Sequence, residues 1–513
     1  MMGMQRMFHA LSLGTGLFRI VRMMLVLVLS LRAVAWALGW VTLSTPIDVI
    51  HLESKMVYVA QRAELGRELY PNWQQFPYEG NFFGPIYFVV VGLLGRLAGC
   101  DDDGLRLIGR IVTGLSVAAI VRVVYLVVRR ETGDRTASAI AGLAILTSVP
   151  MLDFGQCVRP DMLAAALSLT GYWLWTSHQS KCLAISFLCL AVLTKQTAVS
   201  AGVAIIVWAG IHRLWREAIT AAVGWLVAVV AAVGLLTVVW EPRLAVDLLG
   251  EGGTPFDWDN GCRVLLNAVK LMPDLLLALL VFLGWRLLGG SACRVACLAL
   301  TALLWNSVSC FKEGAWLNYF VESAIAASMA SGLLWSRTGV AVSGGSINNS
   351  HERGRGWWFW PSLVGAVIGL SCAASQPLMY AVATVIARWN TVAFFRSAHP
   401  KALELDRLIQ LVRSDKLKVL SDSSFLALKS LHEPPFVDPW LFRNLVVNRR
   451  LYPTELLRRL ESREYDLVVT TSEVMDPGYD NYVFGFPPVV AEVVRRQYRF
   501  VGIGGGMFLY EQR

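Results

Sequence analysis

The sequence predicts a mainly α protein: a polytopic helical membrane bundle of about eleven spans with interfacial helices, and a small C-terminal α/β domain outside it. Three observations carry that expectation. Of 513 residues, 55% are hydrophobic and only 16% are charged, against about 25% charged in a soluble protein, and the mean hydropathy is +0.52. The charges gather in short clusters between long apolar runs, as repeated bilayer crossings require. Beyond about residue 390 the character changes: charge density rises, and short strand-like and helix-like stretches alternate.

The elements follow in order. Arg6, Arg19 and Arg22 precede an apolar run from Met23 to Leu43, longer than the roughly 7–15 residues of a signal-peptide core. It is expected to be the first span, with the N-terminus inside. Further apolar segments occupy 82–98, 106–128, 137–155, 161–177, 182–197, 198–212, 218–240, 273–288, 293–311, 315–335 and 357–380. The basic loops around Arg129, Arg130 and Arg135, around His212, Arg213 and Arg216, and around Arg337, His351, Arg353 and Arg355 belong in the cytoplasm. All three fall inside only if 82–98 does not span. That segment is short and broken by Gly84, Pro85, Gly92 and Gly95, which suits an interfacial or re-entrant piece.

A membrane domain of 1–388, with a first external loop at 44–105, is thus expected before an external domain of 389–513. In the latter, helices are expected at 401–414, 453–462 and 488–498, and strands at 417–421, 465–471 and the terminal MFLYEQ. The Gly-, Ser- and Asn-rich 339–356 reads as a cytoplasmic linker.

Composition also excludes. The net charge of +9 comes without a basic stripe interleaved with aromatics, so positive-inside retention and anionic lipid account for it and nucleic acid does not. The nine cysteines include no CxxC and mostly fall in apolar runs, so they read as small buried thiols. Cys100 and Cys262 both fall in loops placed outside, where a bridge is allowed. There is no phosphate-binding GxxxxGK[ST], no HExxH and no Ser–His–Asp signature.

The residues that could carry chemistry lie at one face. Asp48 and Glu53 follow the first span, where paired carboxylates suit general-base work on an acceptor; the plain alternative is solvated loop charge. Arg159, Pro160 and Asp161 open a span on the same side, and Asp161 there is also a good helix cap. Lys195 in LTKQTA, Arg106 and Arg110 at the start of the second span, and Lys312 are cations at the outer boundary. They could hold a lipid-linked phosphate through charge-assisted pairs, or merely snorkel to headgroups. Arg32, midway along the first span, is expected to face the bundle.

Together these constellations resemble the membrane glycosyltransferases of the GT-C superfamily, most nearly the bacterial relatives of protein O-mannosyltransferases (family 39) and the aminoarabinose lipid A transferases. The matching elements, in order, are the acidic loop after the first span, GRELY, YEGNFFGPIYF, RLIGR, RRETGDR, the RPD triplet, LTKQTA and KEGAWLNYFVE. The family's Asp-Glu pair is altered: Glu53 keeps its place, Leu52 replaces the Asp, and Asp48 stands five residues before Glu53. Which carboxylate is the base therefore stays open.

The resemblance implies an inverting transfer of a hexosyl or pentosyl group from a polyprenyl-phosphate donor to a glycan, lipid or protein acceptor. It places the reaction at the outer face of the cytoplasmic membrane. It implies Glu53, Asp48 and Asp161 as catalytic, Lys195, Arg159, Arg110 and Lys312 as donor-phosphate ligands, and Tyr70, Tyr87, Asn318 and Glu322 as acceptor or donor contacts. No metal site is assigned, though a divalent metal is not excluded. A transporter or lipid-linked sugar flippase is the second reading, disfavoured because the halves do not match and the charges sit at one face. A non-catalytic scaffold for the external domain is the third.

Overall fold

The computed structural model describes residues 23, 26–45, 47–50, 52–249, 255–288, 292–342, 375–396, 400–413, 417–430, 433–482 and 484–513. Arg6, Arg19, Arg22, His351, Arg353, Arg355, most of the expected linker and the first part of the expected span 357–380 lie outside these residues.

The membrane part comprises α1 (Val26–Thr42), α2 (Glu53–Glu64), α3 (Ile86–Ala98), α4 (Asp102–Thr132), α5 (Arg135–Leu146), α6 (Val149–Phe154), α7 (Asp161–Thr176) and α8 (Lys181–Thr194). It continues with α9 (Ser200–Ile211), α10 (Trp215–Val239), α11 (Leu244–Leu249), α12 (Trp258–Leu271), α13 (Leu275–Leu288), α14 (Ala292–Ser309), α15 (Val321–Val342) and α16 (Ser375–Arg396). Two of these, α4 and α10, are each long and apolar enough to cross a bilayer alone. Some expected spans are interrupted. The expected span 137–155 divides at Thr147–Ser148, and the expected segments 182–197 and 198–212 are separated by a break at Lys195–Val199.

Helix α3 has 13 residues, about 20 Å of helix against an apolar slab of about 30 Å, so it is too short to cross. It packs on α2 and α4, closely enough that a Cβ on Gly92 would sit 2.7 Å from the Ala60 carbonyl oxygen. Just before it, a Cβ on Gly84 would lie 1.8 Å from the Leu193 carbonyl oxygen. The loop into α3 thus lies directly on the LTKQTA break.

Around α4 the bundle is a single apolar core to which α5, α7, α9, α14 and α15 contribute. Arg32 of α1 turns into it and donates to the Thr147 carbonyl, as expected. Cys100 and Cys262 are both free thiols, so the bridge that sidedness allowed is absent.

The C-terminal part holds α17 (Pro400–Val412), β1 (Val419–Ser421), α18 (Ser424–Lys429), α19 (Pro439–Val447), α20 (Thr454–Glu461), β2 (Leu467–Thr470), α21 (Pro488–Gln497), β3 (Tyr498–Gly504) and β4 (Met507–Gln512). The sheet order is β1-β2-β4-β3, with β1 and β2 parallel and the other pairs antiparallel. Each of the six expected elements is present; β3, α18 and α19 are additional.

This domain shares its core with the segment between α1 and α3. Trp73 and Tyr78 are buried in one cluster with Phe436, Phe442, Val468 and Tyr510, and the Tyr78 amide donates to the Pro435 carbonyl at 2.7 Å. Ile47 packs against the neighbouring cluster of Leu405, Phe425 and Leu467. Ion pairs fasten the same face to the start of α4: Lys429 lies 2.5 Å from Asp102 and 2.6 Å from Asp103, and Arg413 lies 3.2 Å from Asp102. Helix α16 runs on to Arg396, across the expected division at 388/389.

Candidate active site

Glu53 opens α2 and is fully buried. Leu52 before it sits at φ 75°, a left-handed conformation that costs a branched apolar residue roughly 1–2 kcal/mol and that Asp or Asn tolerates better. The Glu53 carboxylate accepts four hydrogen bonds. Oε1 takes Arg110 Nε at 2.9 Å and the Val158 amide at 2.8 Å; Oε2 takes Arg110 Nη2 at 2.9 Å and the Val49 amide at 2.7 Å. Burial alone would raise this carboxyl, but Arg110, Arg106 and the Val49 amide hold it below its ordinary value. Both oxygens are saturated, and nothing is left for a substrate hydroxyl.

Arg110 is equally committed. Its remaining N–H groups donate to the carbonyls of Thr42, Leu43, Thr45 and Ile47 at 2.7–3.1 Å. It ties the exit of α1 to α4 and has no donor free for a phosphate.

Asp48 differs. Its side chain is 18% exposed. Oδ1 pairs with Arg106 and accepts from Ser54 Oγ at 2.7 Å, and Oδ2 accepts from the Ser54 amide at 3.1 Å. One Oδ2 lone pair therefore stays open on an accessible carboxylate. The Arg106 side chain is 1% exposed and lies under the Phe425 ring of the C-terminal domain.

The second cluster gathers residues from distant segments. Asp161, at the first turn of α7, accepts Lys195 Nζ at 2.5 Å and Asn318 Nδ2 at 2.7 Å on Oδ1, and Arg159 Nε at 3.0 Å on Oδ2. Lys195 ends α8 in extended backbone, and its ammonium also lies 4.5 Å from the Tyr319 ring centroid. Glu322, one turn into the same region, accepts from Ser168 Oγ at 2.9 Å. Between them is a small, partly open recess, lined by Asp161, Lys195, Asn306, Asn318, Tyr319 and Glu322. RPD, LTKQTA and KEGAWLNYFVE thus meet at one place.

Lys312 stands beside it. No carboxylate pairs with its ammonium among the described residues. Burial and the nearby Lys195 charge push it below its ordinary value. A half-buried cation facing another cation and lacking a counter-ion is a place for an anion.

The two clusters are joined through one hydrogen bond. The Val158 amide donates to Glu53, and the next residue is Arg159.

Tyr70 and Tyr87 do not reach the pocket. Their side chains are buried, with hydroxyls donated to the Phe83 carbonyl at 2.7 Å and the Gly109 carbonyl at 3.0 Å. They hold the loop and α3 in place. Among the described residues the one compact carboxylate trio is Asp101–Asp103, and Lys429 and Arg413 already pair with it.

A further group went unseen in the sequence. Arg388 of α16 is buried, donates to the carbonyls of Leu152 and Asp153 at 2.8 and 2.9 Å and pairs with Gln156. It holds the lead-in to the RPD triplet. Its only sequence signal is an arginine in an otherwise apolar helix.

Comparison with known proteins bears on the fold. The family model described as dolichyl-phosphate-mannose-protein mannosyltransferase matches residues 84–240. No curated protein sequence matches the chain. Among solved structures, ArnT from Cupriavidus metallidurans bound to undecaprenyl phosphate superposes with a TM-score of 0.54 at 15% identity, covering 94% of this chain and 97% of that one. The apo state of ArnT gives 0.55 with the same identity and coverage. In fold the chain is similar to ArnT, and its residues 84–240 match the mannosyltransferase family model.

Proposed function

We propose that this chain is an inverting glycosyltransferase that moves a sugar from a polyprenyl-phosphate donor to an acceptor hydroxyl at the outer face of the cytoplasmic membrane. The N-terminus would be inside, the C-terminal domain outside, and the acceptor a glycan, lipid or protein. The observation that carries this reading is the meeting of Arg159, Lys195 and Asn318 on Asp161, beside a Lys312 ammonium that has no counter-ion among the described residues. A cationic recess of this kind suits the phosphate of a lipid carrier, and ArnT, of like fold, binds undecaprenyl phosphate.

In this mechanism Asp48 takes the proton of the acceptor hydroxyl. The oxygen attacks the anomeric carbon from the side opposite the phosphate. The bond from that carbon to the phosphate oxygen breaks, and polyprenyl phosphate leaves with the electron pair. Lys312, Lys195 and Arg159 face the charge that develops on it. Asp161 and Asn318 hold those cations in register, while Glu53 and Arg110 hold the Asp48 loop against the RPD segment. Asp48 is preferred to Glu53 because it alone has an oxygen open to a substrate.

The test uses the full chain in liposomes with a lipid-linked sugar and an acceptor. Loss of one charge-assisted contact of about 2 kcal/mol should raise the donor KM of Lys312→Ala about 30-fold, with folding unimpaired. Exchange of the lipid-linked sugar across the bilayer by the wild type, with no transfer to any acceptor, would replace this reading by the flippase.

A further inference from the structure

Helix α12 has three faces. Asn260, Val264 and Ala268 are buried against the bundle. Asp259, Arg263 and Lys270 form an exposed charged strip. Between these, Trp258, Leu266 and Val269 are 65%, 60% and 63% exposed, and at 3.6 residues per turn they share a sector roughly 100° wide. An apolar strip this exposed beside a charged one suits a helix lying in the boundary between headgroups and acyl chains.

The geometry around it agrees. Helix α12 meets α13 at 92° after a break at Met272–Asp274, so when α13 runs along the membrane normal α12 lies in the membrane plane. Its N-terminal end carries an aromatic platform. The Phe256 and Phe311 rings stack at 5.1 Å with 4° between planes, and Trp258 lies 5.0 Å from Phe311. Phe256, like Trp258, is 65% exposed, and such rings settle at headgroup level.

The platform is fixed to Lys312. Phe256 and Lys312 form an antiparallel bridge, the Asp257 amide donates to the Phe311 carbonyl at 2.7 Å, and the Glu313 amide donates to the Pro255 carbonyl at 2.9 Å.

We propose that α12 docks flat on the lipid surface of the outer leaflet, and that its aromatic end sets the depth of Lys312 relative to the headgroups. Helix α12 is then a surface helix leading into α13, and not the first half of a single broken span. The docking partner is the bilayer itself. The depth of α12 rests only on the membrane fold; its use in presenting Lys312 rests on the transferase reading.

The experiment places an environment-sensitive fluorophore on Trp258→Cys, Leu266→Cys or Val269→Cys, one at a time, in the cysteine-depleted full chain in liposomes. Quenching by lipids spin-labelled at shallow or deep acyl positions reports depth, and retained transfer activity identifies folded samples. All three positions should be quenched by the shallow label and lie within about 4 Å of one depth, less than three residues of helix rise. A helix running into the bilayer would instead separate Trp258 and Val269 by about 16 Å, and that gradient, or the absence of quenching at all three, would overturn the docking. In a separate arm, Phe256→Ala/Trp258→Ala should raise the KM for a long-chain lipid-linked sugar about tenfold, leave kcat unchanged, and leave the KM for a water-soluble short-chain donor unmoved. Equal effects on both donors would overturn the coupling to Lys312 while leaving the depth result standing.

Discussion

Exchanging Glu53 for Gln and Asp48 for Asn, separately, distinguishes a carboxylate that holds the site from one that works in it. Gln at 53 keeps the shape but removes the charge that Arg110 faces, and both side chains are 0% exposed. It also turns one acceptor oxygen into a donor, against a guanidinium or an amide that itself donates. Breaking a buried pair on one side costs about 3–5 kcal/mol. The expected result is a clear fall in thermal stability and yield in detergent, with residual turnover per folded molecule. Asn at 48 leaves Arg106 one acceptor oxygen at a partly exposed position, which costs about 1–3 kcal/mol. Loss of a general base lowers turnover by about 10²–10⁴-fold. Melting curves of purified protein, together with initial rates at saturating donor, read both quantities. A Glu53→Gln enzyme that melts like wild type and is inactive, beside an Asp48→Asn enzyme that is active, would refute the reasoning and return the base to Glu53.

Two further outcomes concern the C-terminal domain. Asp422 is buried, accepts from the Thr471 amide and the Tyr479 hydroxyl, and has its carboxyl pushed up to about 7, mainly by burial. A raised folded-state value means that the folded form holds a proton the unfolded chain releases near pH 4. Its contribution is therefore full below about pH 4, declines as pH rises, and is gone above about pH 7, an effect of up to about 4 kcal/mol. Melting of wild type between pH 4 and 8 should show this decline, and Asp422→Asn should flatten it. Lys429→Ala removes both ion pairs to Asp102 and Asp103. Limited proteolysis should then release the C-terminal domain several times faster than in wild type, while an unchanged cleavage rate would show that the shared apolar core alone fastens the domain.

The sequence disclosed what is local or repeated. Apolar runs marked the bundle, and RPD, LTKQTA and KEGAWLNYFVE each carry an ionisable residue near a helix end, which is why Asp161, Lys195 and Lys312 could be named as candidates in advance. It did not disclose saturation. Nothing in the spacing of Glu53 and Arg110 says that all five guanidinium N–H groups meet acceptors, because those acceptors are carbonyls of residues 42–47 brought close only by folding. Helix α12 was missed because its charged strip lowers the average hydropathy that reveals a span. The burial of Trp73 and Tyr78 was missed because their partners lie more than 300 residues away in the chain.

That last arrangement orders events in time. The loop bearing Asp48 is synthesised early, yet Ile47, Trp73 and Tyr78 find their apolar partners only in residues made near the end. Until the final domain has folded against it, the loop has half a core and Arg106 has no Phe425 ring above it. Ordering of the Asp48 loop is thereby made the last step of folding: a chain halted before its C-terminal sheet would hold every charged motif of the pocket and still lack the residues that pack over that loop.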